Sequence, residues 1–200
     1  WVTPEVARAL LTNHDDLGPL DSLEALREAD ALRTRPVIIA RHAKAKPRSH
    51  WAAAEDDRPL AGTGKRQALA SSGLYAAWAP NRILSSPWLR CLQTVTPYSV
   101  EHGVAIKEKK SLSEAGAQRH PARTTRTVAS LFEKDAPSLL CTHRPVLPIV
   151  MEVLGEYLWE GSPADILPAA DPYLEPGDAL VLQVTEGENP RIVSVERVRP

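Results

Sequence analysis

Cysteine is scarce in this chain, and its placement suits neither a metal site nor a disulfide. The two residues, Cys91 and Cys141, fall inside predicted regular elements without metal-ligand spacing. A structural zinc site is therefore not expected, and reduced thiols of a cytoplasmic protein are. No run approaches the roughly 20 apolar residues of a membrane span. The N-terminus has no basic segment followed by an apolar one, so neither a membrane partner nor export is expected. Charge of one sign is also lacking: 24 Lys and Arg against 25 Asp and Glu leave a net charge of -1. That balance argues against a surface for polymeric nucleic acid, so any preference for anions must come from a local cluster. Repeats and low-complexity segments are absent. The chain begins at Trp1 rather than Met, which points to a processed chain or a piece of a longer one.

What is present is enough length for one good core. The 200 residues favour one domain plus an appendage over two domains. The chain is organised around Pro36-Val37-Ile38-Ile39-Ala40-Arg41-His42-Ala43, a β-branched apolar run that reads as a buried strand ending in a cation and an imidazole. In open parallel sheets ligands sit beyond the carboxyl ends of the strands, which is where this pair would stand. Taken alone, such a pair reads more readily as a hydrogen-bonded structural histidine. Two later stretches change that. Ile83 to Thr94 reads as a strand, a turn and a helix started by Pro87 with Arg90 in its first turns, and Leu139-Leu140-Cys141-Thr142-His143 repeats the strand ending in His. Two arginines and two histidines thus converge on one sheet edge.

The remaining elements follow from caps and periodicity. Thr3-Pro4-Glu5 starts a short helix, and Asp21-Ser22-Leu23-Glu24 reads as a capping box opening a helix through Leu32. A long connection over 44–59 holds Lys44, Lys46, Arg48, His50 and Trp51 ahead of an acidic patch at Glu55, Asp56 and Asp57. It reads either as a solvated loop or as a grip for further phosphates. A helix over 63–79 is predicted with Leu69, Leu74 and Trp78 as core contacts. The helix after Pro87 is predicted to be interrupted near Pro97 and to end by Gly103, before a strand over 104–108. Residues 111–116 read as a loop and 120–134 as an amphipathic helix, with Arg119, Arg123 and Arg126 reading as a solvated face rather than a phosphate clamp. A strand over 138–142, a helix over 145–158 and a proline-rich loop over 161–176 follow. Strands over 179–185 and 191–198 close the chain as a hairpin.

The ordered set of Arg41-His42-Ala43, Leu60 with Gly64, Gln67 and Ala68, Ser85-Ser86-Pro87 with Arg90 and Gln93-Thr94, then Thr142-His143 resembles the histidine phosphatase superfamily over about residues 36–185. Ala43 stands where a glycine is common in that family. The resemblance implies an α/β three-layer sandwich of the phosphoglycerate mutase-like kind, with a mostly parallel central sheet and helices on both faces. It implies His42 as nucleophile, Arg41, Arg90 and His143 as donors to phosphate, and Glu114 as the acid that protonates the leaving group. The phosphohistidine route needs no metal, because the arginines and histidine supply the charge that magnesium supplies elsewhere.

Residues 1–32 read as a helical segment preceding a phosphatase domain over 33–200. Its opening, Trp1 to Leu11, resembles the tail of a Nudix domain, and Arg41-His42-Ala43-Lys44 fits the phosphatase half of actinobacterial Nudix-linked, MutT-like proteins. That resemblance implies nucleotide substrates, including 8-oxo-guanine nucleotides. Lys44, Lys46 and Arg48 would then hold further phosphates, Trp51 or Trp88 would stack on the base, and magnesium would be needed only by a Nudix domain in cis. A phosphohistidine or phosphoprotein phosphatase would use the same residues. A regulatory module that binds phosphate without turnover is the reading from another class, and the intact quartet of Arg41, His42, Arg90 and His143 argues against it.

Overall fold

The apolar run after Arg35 forms β1 (Thr34–Arg41), whose residues from Val37 to Ala40 have no exposed surface. Three later runs form β2 (Arg82–Ser85), β3 (Ile106–Glu108) and β4 (Ser138–Thr142). The closing hairpin is β5 (Ala179–Thr185) and β6 (Ile192–Val198), paired antiparallel. In this computed structural model, which describes residues 1–163 and 165–200, the strands form one sheet in the order β3-β2-β4-β1-β5-β6. The strands β1 to β4 run parallel. Arg41 lies beside Thr142 and Ser85 beside Cys141, so one sheet edge carries the residues that follow each.

Period-two alternation sorts each strand between two cores. Val37, Ile39, Leu84, Leu140, Leu180 and Leu182 face a cluster that includes Ala117, Val128, Val150 and Leu154. Those four belong to the helices α5 (Glu114–Arg119), α6 (Pro121–Ala129) and α7 (Leu147–Glu156). Ile38, Ala40, Ile83, Leu139, Cys141 and Val181 face the other cluster, with Tyr75, Val95 and Tyr98. Those three come from α3 (Gly62–Ala76) and α4 (Leu89–His102). A sheet buried on both faces by helices is the expected three-layer α/β architecture. Truncating a fully buried residue such as Leu140 to Ala would cost about 2–5 kcal/mol.

The chain divides into two units, Trp1–Thr34 and Arg35–Pro200. The first holds α1 (Pro4–Leu10), with Thr3 accepting from the Val6 N–H as its cap, and α2 (Leu17–Glu28). Asp21 and Ser22 lie inside α2 and open no helix. Their polar atoms go elsewhere: Ser22 donates to the Gly18 carbonyl, and Asp21 and Glu24 both pair with Arg8, which is why the capping-box reading of 21–24 fails.

Other boundaries differ for local reasons. Pro97 lies inside α4 without interrupting it, since a proline removes one helical hydrogen bond and can be carried by a well-packed helix. The first helical residue is Leu89 rather than Pro87, and its N–H donates to the Asp56 carbonyl. Gly103 ends the helix at φ +66 as expected. Leu69 is exposed, and α3 presents Ala68, Ser71, Ser72 and Tyr75 to the interior instead. The segment read as a loop over 111–116 contains a 3-10 turn (Lys110–Leu112) and the start of α5, and α6 ends at Ala129. The helix read over 145–158 begins as a 3-10 turn and becomes α7 only at Leu147. Residue 164, within the proline-rich loop read over 161–176, lies outside the described residues. Among the described residues no helix is long and apolar enough to cross a membrane.

Candidate active site

The backbone at the tip of β1 is held on several sides. His42 N–H donates to the Thr142 carbonyl (3.0 Å), Arg41 N–H to the Asp178 carbonyl (3.1 Å), and Gly177 N–H to the His42 carbonyl (3.2 Å). Gly177 has φ +93 and a Cβ there would meet Gln67, so the turn that covers His42 requires glycine. Thr94 Oγ1 accepts from the Ala43 N–H (3.0 Å) and donates to the Arg90 carbonyl (2.7 Å). Gln67 accepts from the Lys44 N–H (2.9 Å) and donates to the Pro176 carbonyl (2.9 Å), while Gln93 accepts from the Leu60 N–H (2.8 Å). Ala43, Leu60 and Ala68 bury against one another. Ala43 is not among the residues of positive φ, which explains why a side chain is tolerated where glycine is common.

The imidazole of His42 is fixed in one tautomer. Its Nδ1–H donates to the Ala43 carbonyl at 2.8 Å, which leaves the lone pair on Nε2. Arg90 Nε–H points at that nitrogen from 3.3 Å, consistent only with Nε2 as acceptor. Burial holds the His42 pKa down to about 3, with the charges of Arg90, Arg41 and Arg58 acting in the same direction and the Ala43 hydrogen bond against it. The ring is therefore neutral at physiological pH.

Arg90 has no exposed surface. Its guanidinium lies over the Trp88 ring, 4.5 Å from the centroid. It donates to the Glu55 carbonyl (2.8 Å) and to Glu114 Oε1 (2.8 Å), and its Nη2 lies 3.2 Å from the Glu55 carboxylate. Arg41 donates to the Leu174 carbonyl (2.6 Å), and its Nε is buried without a hydrogen-bond partner, a donor available to an anion. His143 is fully buried with its ring edge-on to His42, centroids 5.1 Å apart. Its Nδ1 is 3.5 Å from Glu114 Oε1 and its Nε2 is 2.8 Å from Ser86 Oγ. An acceptor facing Nδ1 assigns the proton there, and Ser86, which accepts from the Trp88 N–H (3.3 Å), donates to Nε2. Burial, then His42 and the nearby arginines, push the His143 pKa well down. Cys91, whose Sγ is 3.4 Å from His143 Nε2, is kept a thiol because burial raises its pKa.

These groups open into a cavity of about 730 Å³. Arg41, His42, Glu114, Lys44, Lys46 and Arg48 all line it. Trp51 and Trp88 do not. Trp51 donates to the Ala54 carbonyl and packs near Lys46, and Trp88 backs His143 and Arg90 from behind. The aromatic wall is Tyr173 instead, a non-glycine residue at φ +57, a conformation sparsely used outside constrained sites.

Sequence reasoning missed two further groups. The Arg144–Asp171 pair lines the cavity and is joined through Nε and Nη2 of the arginine to the two carboxylate oxygens. Arg58, also in the wall, grips Glu55 (2.8 Å from Nη2) and the Lys46 carbonyl. Burial alone would raise the Glu55 carboxyl, but hydrogen bonds from Arg58 and Arg48 hold it below its ordinary value. The i,i+3 spacing of Glu55 and Arg58 was the available signal. Ser113 caps α5 by accepting from the Gly116 N–H (3.0 Å), which sets Glu114 at the first helical position, and a serine before an acid could have revealed that helix start.

The sequence profile of the histidine phosphatase superfamily (branch 1) matches residues 37–155, more than half of the chain and a span that includes Arg41, His42, Arg90, Glu114 and His143. An 8-oxo-(d)GTP phosphatase of Mycolicibacterium smegmatis is 28% identical over 156 residues. That match covers 78% of this chain and 46% of the relative, so the chain spans about half the length of this curated protein. Among solved structures, a chain from Agrobacterium tumefaciens assigned as phosphohistidine phosphatase SixA is 25% identical, with a TM-score of 0.57 over 83% of this chain and 98% of that one. A mycobacterial glucosyl-3-phosphoglycerate phosphatase in complex with inorganic phosphate is 16% identical, with a TM-score of 0.55 over 82% and 95%, a likeness of fold alone.

Proposed function

This chain belongs to the histidine phosphatase superfamily and is a phosphatase, and from that premise we propose that it works through a phosphohistidine on His42 with nucleoside polyphosphates as substrates. The observation that carries the mechanism is the tautomer lock: Nδ1–H is committed to the Ala43 carbonyl, and the Nε2 lone pair faces the Nε–H of Arg90. Nε2 attacks phosphorus in line as the bond to the leaving oxygen breaks. Arg41, Arg90 and the Nδ1–H of His143 hold the equatorial oxygens, where electrostatic stabilisation counts most.

Glu114 supplies the proton for the leaving oxygen. Its carboxylate rests on Arg90 without substrate. A phosphate dianion takes that donor, which places Glu114 beside the transferring group with its carboxyl facing the leaving oxygen as the general acid. Water then attacks the phosphohistidine, its proton returns to Glu114, the P–N bond breaks, and neutral His42 is restored.

The nucleotide reading rests on the far side of the cavity. Lys44 and Lys46 add positive charge to the wall beside His42, more than one phosphoryl group needs, with Arg48 paired to Glu55 and Glu114, and Tyr173 offers a ring where Trp51 and Trp88 do not reach. The relative from M. smegmatis acts on an oxidised guanine nucleotide by its name, which supports 8-oxo-guanine nucleotides as first candidates. Residues 1–32 fit the tail of a Nudix domain in a longer protein, and any magnesium chemistry would belong to that domain. The likeness to SixA at 25% identity favours phosphohistidine peptides as the second reading. The test compares kcat/KM for nucleoside di- and triphosphates, with and without 8-oxoguanine, against phosphohistidine peptides and sugar phosphates, in the parent chain and in Lys44→Ala/Lys46→Ala. Nucleotides no better than sugar phosphates, with silent lysine changes, would reject the nucleotide reading. Rapid quenching should trap acid-labile phosphate on His42, and turnover without such label would reject the mechanism.

A further inference from the structure

A second cavity, of about 540 Å³, opens where α6 meets the segment after β3, and Arg82, Lys109, Arg123, Arg126 and Lys134 line it. No carboxylate is among its lining residues, and none of the five cations has an ion-pair partner among the described residues. In a chain of net charge -1 that is a strong local departure; Arg123 and Arg126 are exposed as the sequence reading expects, and their clustering with three further cations goes beyond it. Like charges set together repel one another, Glu133 near Arg82 offsets part of that charge, and an anion relieves the rest.

The chemistry of the wall narrows the anion. The cavity has the size of a small-molecule site rather than a track along a polymer. Its lining has no aromatic ring to stack on a base and no acid to bind a sugar or an amine. Hydroxyls of Ser111, Thr127 and Ser130 complete it, and Arg82 is anchored by donating to the Ser130 carbonyl (2.9 Å) and Oγ (3.2 Å). Five cations exceed the charge of one phosphate. A short chain of phosphates, recognised by charge and tetrahedral oxygens alone, matches both number and size.

The position of the groove gives such binding a consequence. Lys109 and Ser111 belong to the segment that ends in Ser113, the cap that sets Glu114 in place. Ser111 is tied to α6 by its hydroxyl on Thr127 (2.7 Å) and its carbonyl on Thr124 (2.7 Å), and the Lys109 N–H donates to the Ser85 carbonyl (2.8 Å). We propose that this groove is a second anion site, distinct from the catalytic cavity, that binds an inorganic oligophosphate such as pyrophosphate or triphosphate and thereby fixes the 109–113 segment that carries Glu114. The link to turnover rests on the acid role of Glu114 proposed above, whereas the binding does not.

The test uses inorganic triphosphate and the full 200-residue chain. Calorimetric titration of His42→Ala, which cannot turn the ligand over, should show two sites, and His42→Ala with Arg123→Ala and Arg126→Ala should show one. Each cation lost should weaken the groove by about tenfold or more, and added salt should weaken it further. Both arginines are exposed, so an unchanged melting temperature separates lost binding from lost fold. With His42 intact and an alkyl phosphate saturating, whose leaving oxygen needs the proton of Glu114, triphosphate should change kcat in the parent and not in Arg123→Ala/Arg126→Ala. A single site in His42→Ala, a second site indifferent to the arginine changes, or a groove that takes an oligo-aspartate peptide but not triphosphate overturns the site. A filled groove with unchanged kcat overturns its connection to Glu114.

Discussion

Burial of a neutral nucleophile has to appear in the acid stability of the fold. His42 titrates near 6.5 as an unperturbed imidazole and is held down to about 3 in the folded chain. Between those values the unfolded state binds a proton that the folded state refuses, so stability rises with pH across that window. The contribution is complete above pH 6.5, falls as the solution is acidified, and is fully lost near pH 3. The gap from about 3 to 6.5, at 1.36 kcal/mol per pH unit, is worth about 5 kcal/mol, the size of a marginal domain's whole stability. His143 is displaced in the same direction and adds to the effect. The assay is urea unfolding from pH 7 to pH 4 of the parent and of His42→Asn, whose amide can still donate to the Ala43 carbonyl. The parent should lose several kcal/mol over that range and the variant distinctly less. Imidazole resonances followed by NMR should show no His42 titration between pH 5 and 8. A His42 midpoint near 6.5, or equal acid sensitivity of the two chains, would refute the account of the buried neutral ring.

Ser86→Ala removes the hydroxyl that donates to His143 Nε2, a buried hydrogen bond worth about 1–3 kcal/mol, and frees the ring to turn a lone pair toward phosphate; kcat should drop about tenfold to a hundredfold with KM nearly constant, and an unchanged kcat would remove the tautomer argument. Glu114→Gln should slow alkyl phosphates far more than an aryl phosphate, whose alcohol leaves without protonation, and equal slowing of both rejects the acid role. Gly64→Ala places a Cβ 2.0 Å from the Lys44 carbonyl oxygen, so it should cost about 1–3 kcal/mol or more and lower activity by displacing the loop after His42. In the same helix Gly73 has nothing within 4 Å, and Gly73→Ala should stabilise by about 0.5–1 kcal/mol; the opposite order in melting temperature contradicts this view of the helix.

What the sequence made legible is what a local pattern carries. The strands over 138–142 and 179–185 were readable to the residue, because buried β-branched and leucine runs bounded by turns have no helical alternative of that length. The tips of β1 and β4 were readable for the same reason, since a strand that stops in His marks the edge where the sheet ends. The start of α5 was hidden because Ser113-Glu114-Ala115-Gly116 reads equally as a turn, and tertiary packing of Ala117 and Leu112 decides for helix. The aromatic wall was misplaced for a different reason: Trp51 and Trp88 are near the nucleophile in the chain, whereas Tyr173 reaches it from a loop more than a hundred residues away, and no spacing encodes that.

The shared motif acquires a physical division once the contacts are known. Arg41 and His42 line the pocket and Arg90 and His143 are buried directly against His42, whereas Leu60, Gly64, Gln67, Gln93 and Thr94 are not in its wall. Each of the second group instead fixes backbone within three residues of His42 or supports a residue that does: Thr94 takes the Ala43 N–H, Gln67 the Lys44 N–H, Gly64 lets Lys44 approach α3, and Gln93 secures Leu60 beneath Ala43. A phosphoryl-transfer site acts by positioning more than by covalent power, so displacement of the His42 imidazole matters as much as its loss. The Ala43 carbonyl that locks its tautomer sits on this same loop. Residues that hold the loop therefore hold the lone pair on Nε2, and so the nucleophile depends on residues that never meet the phosphate as much as on those that do.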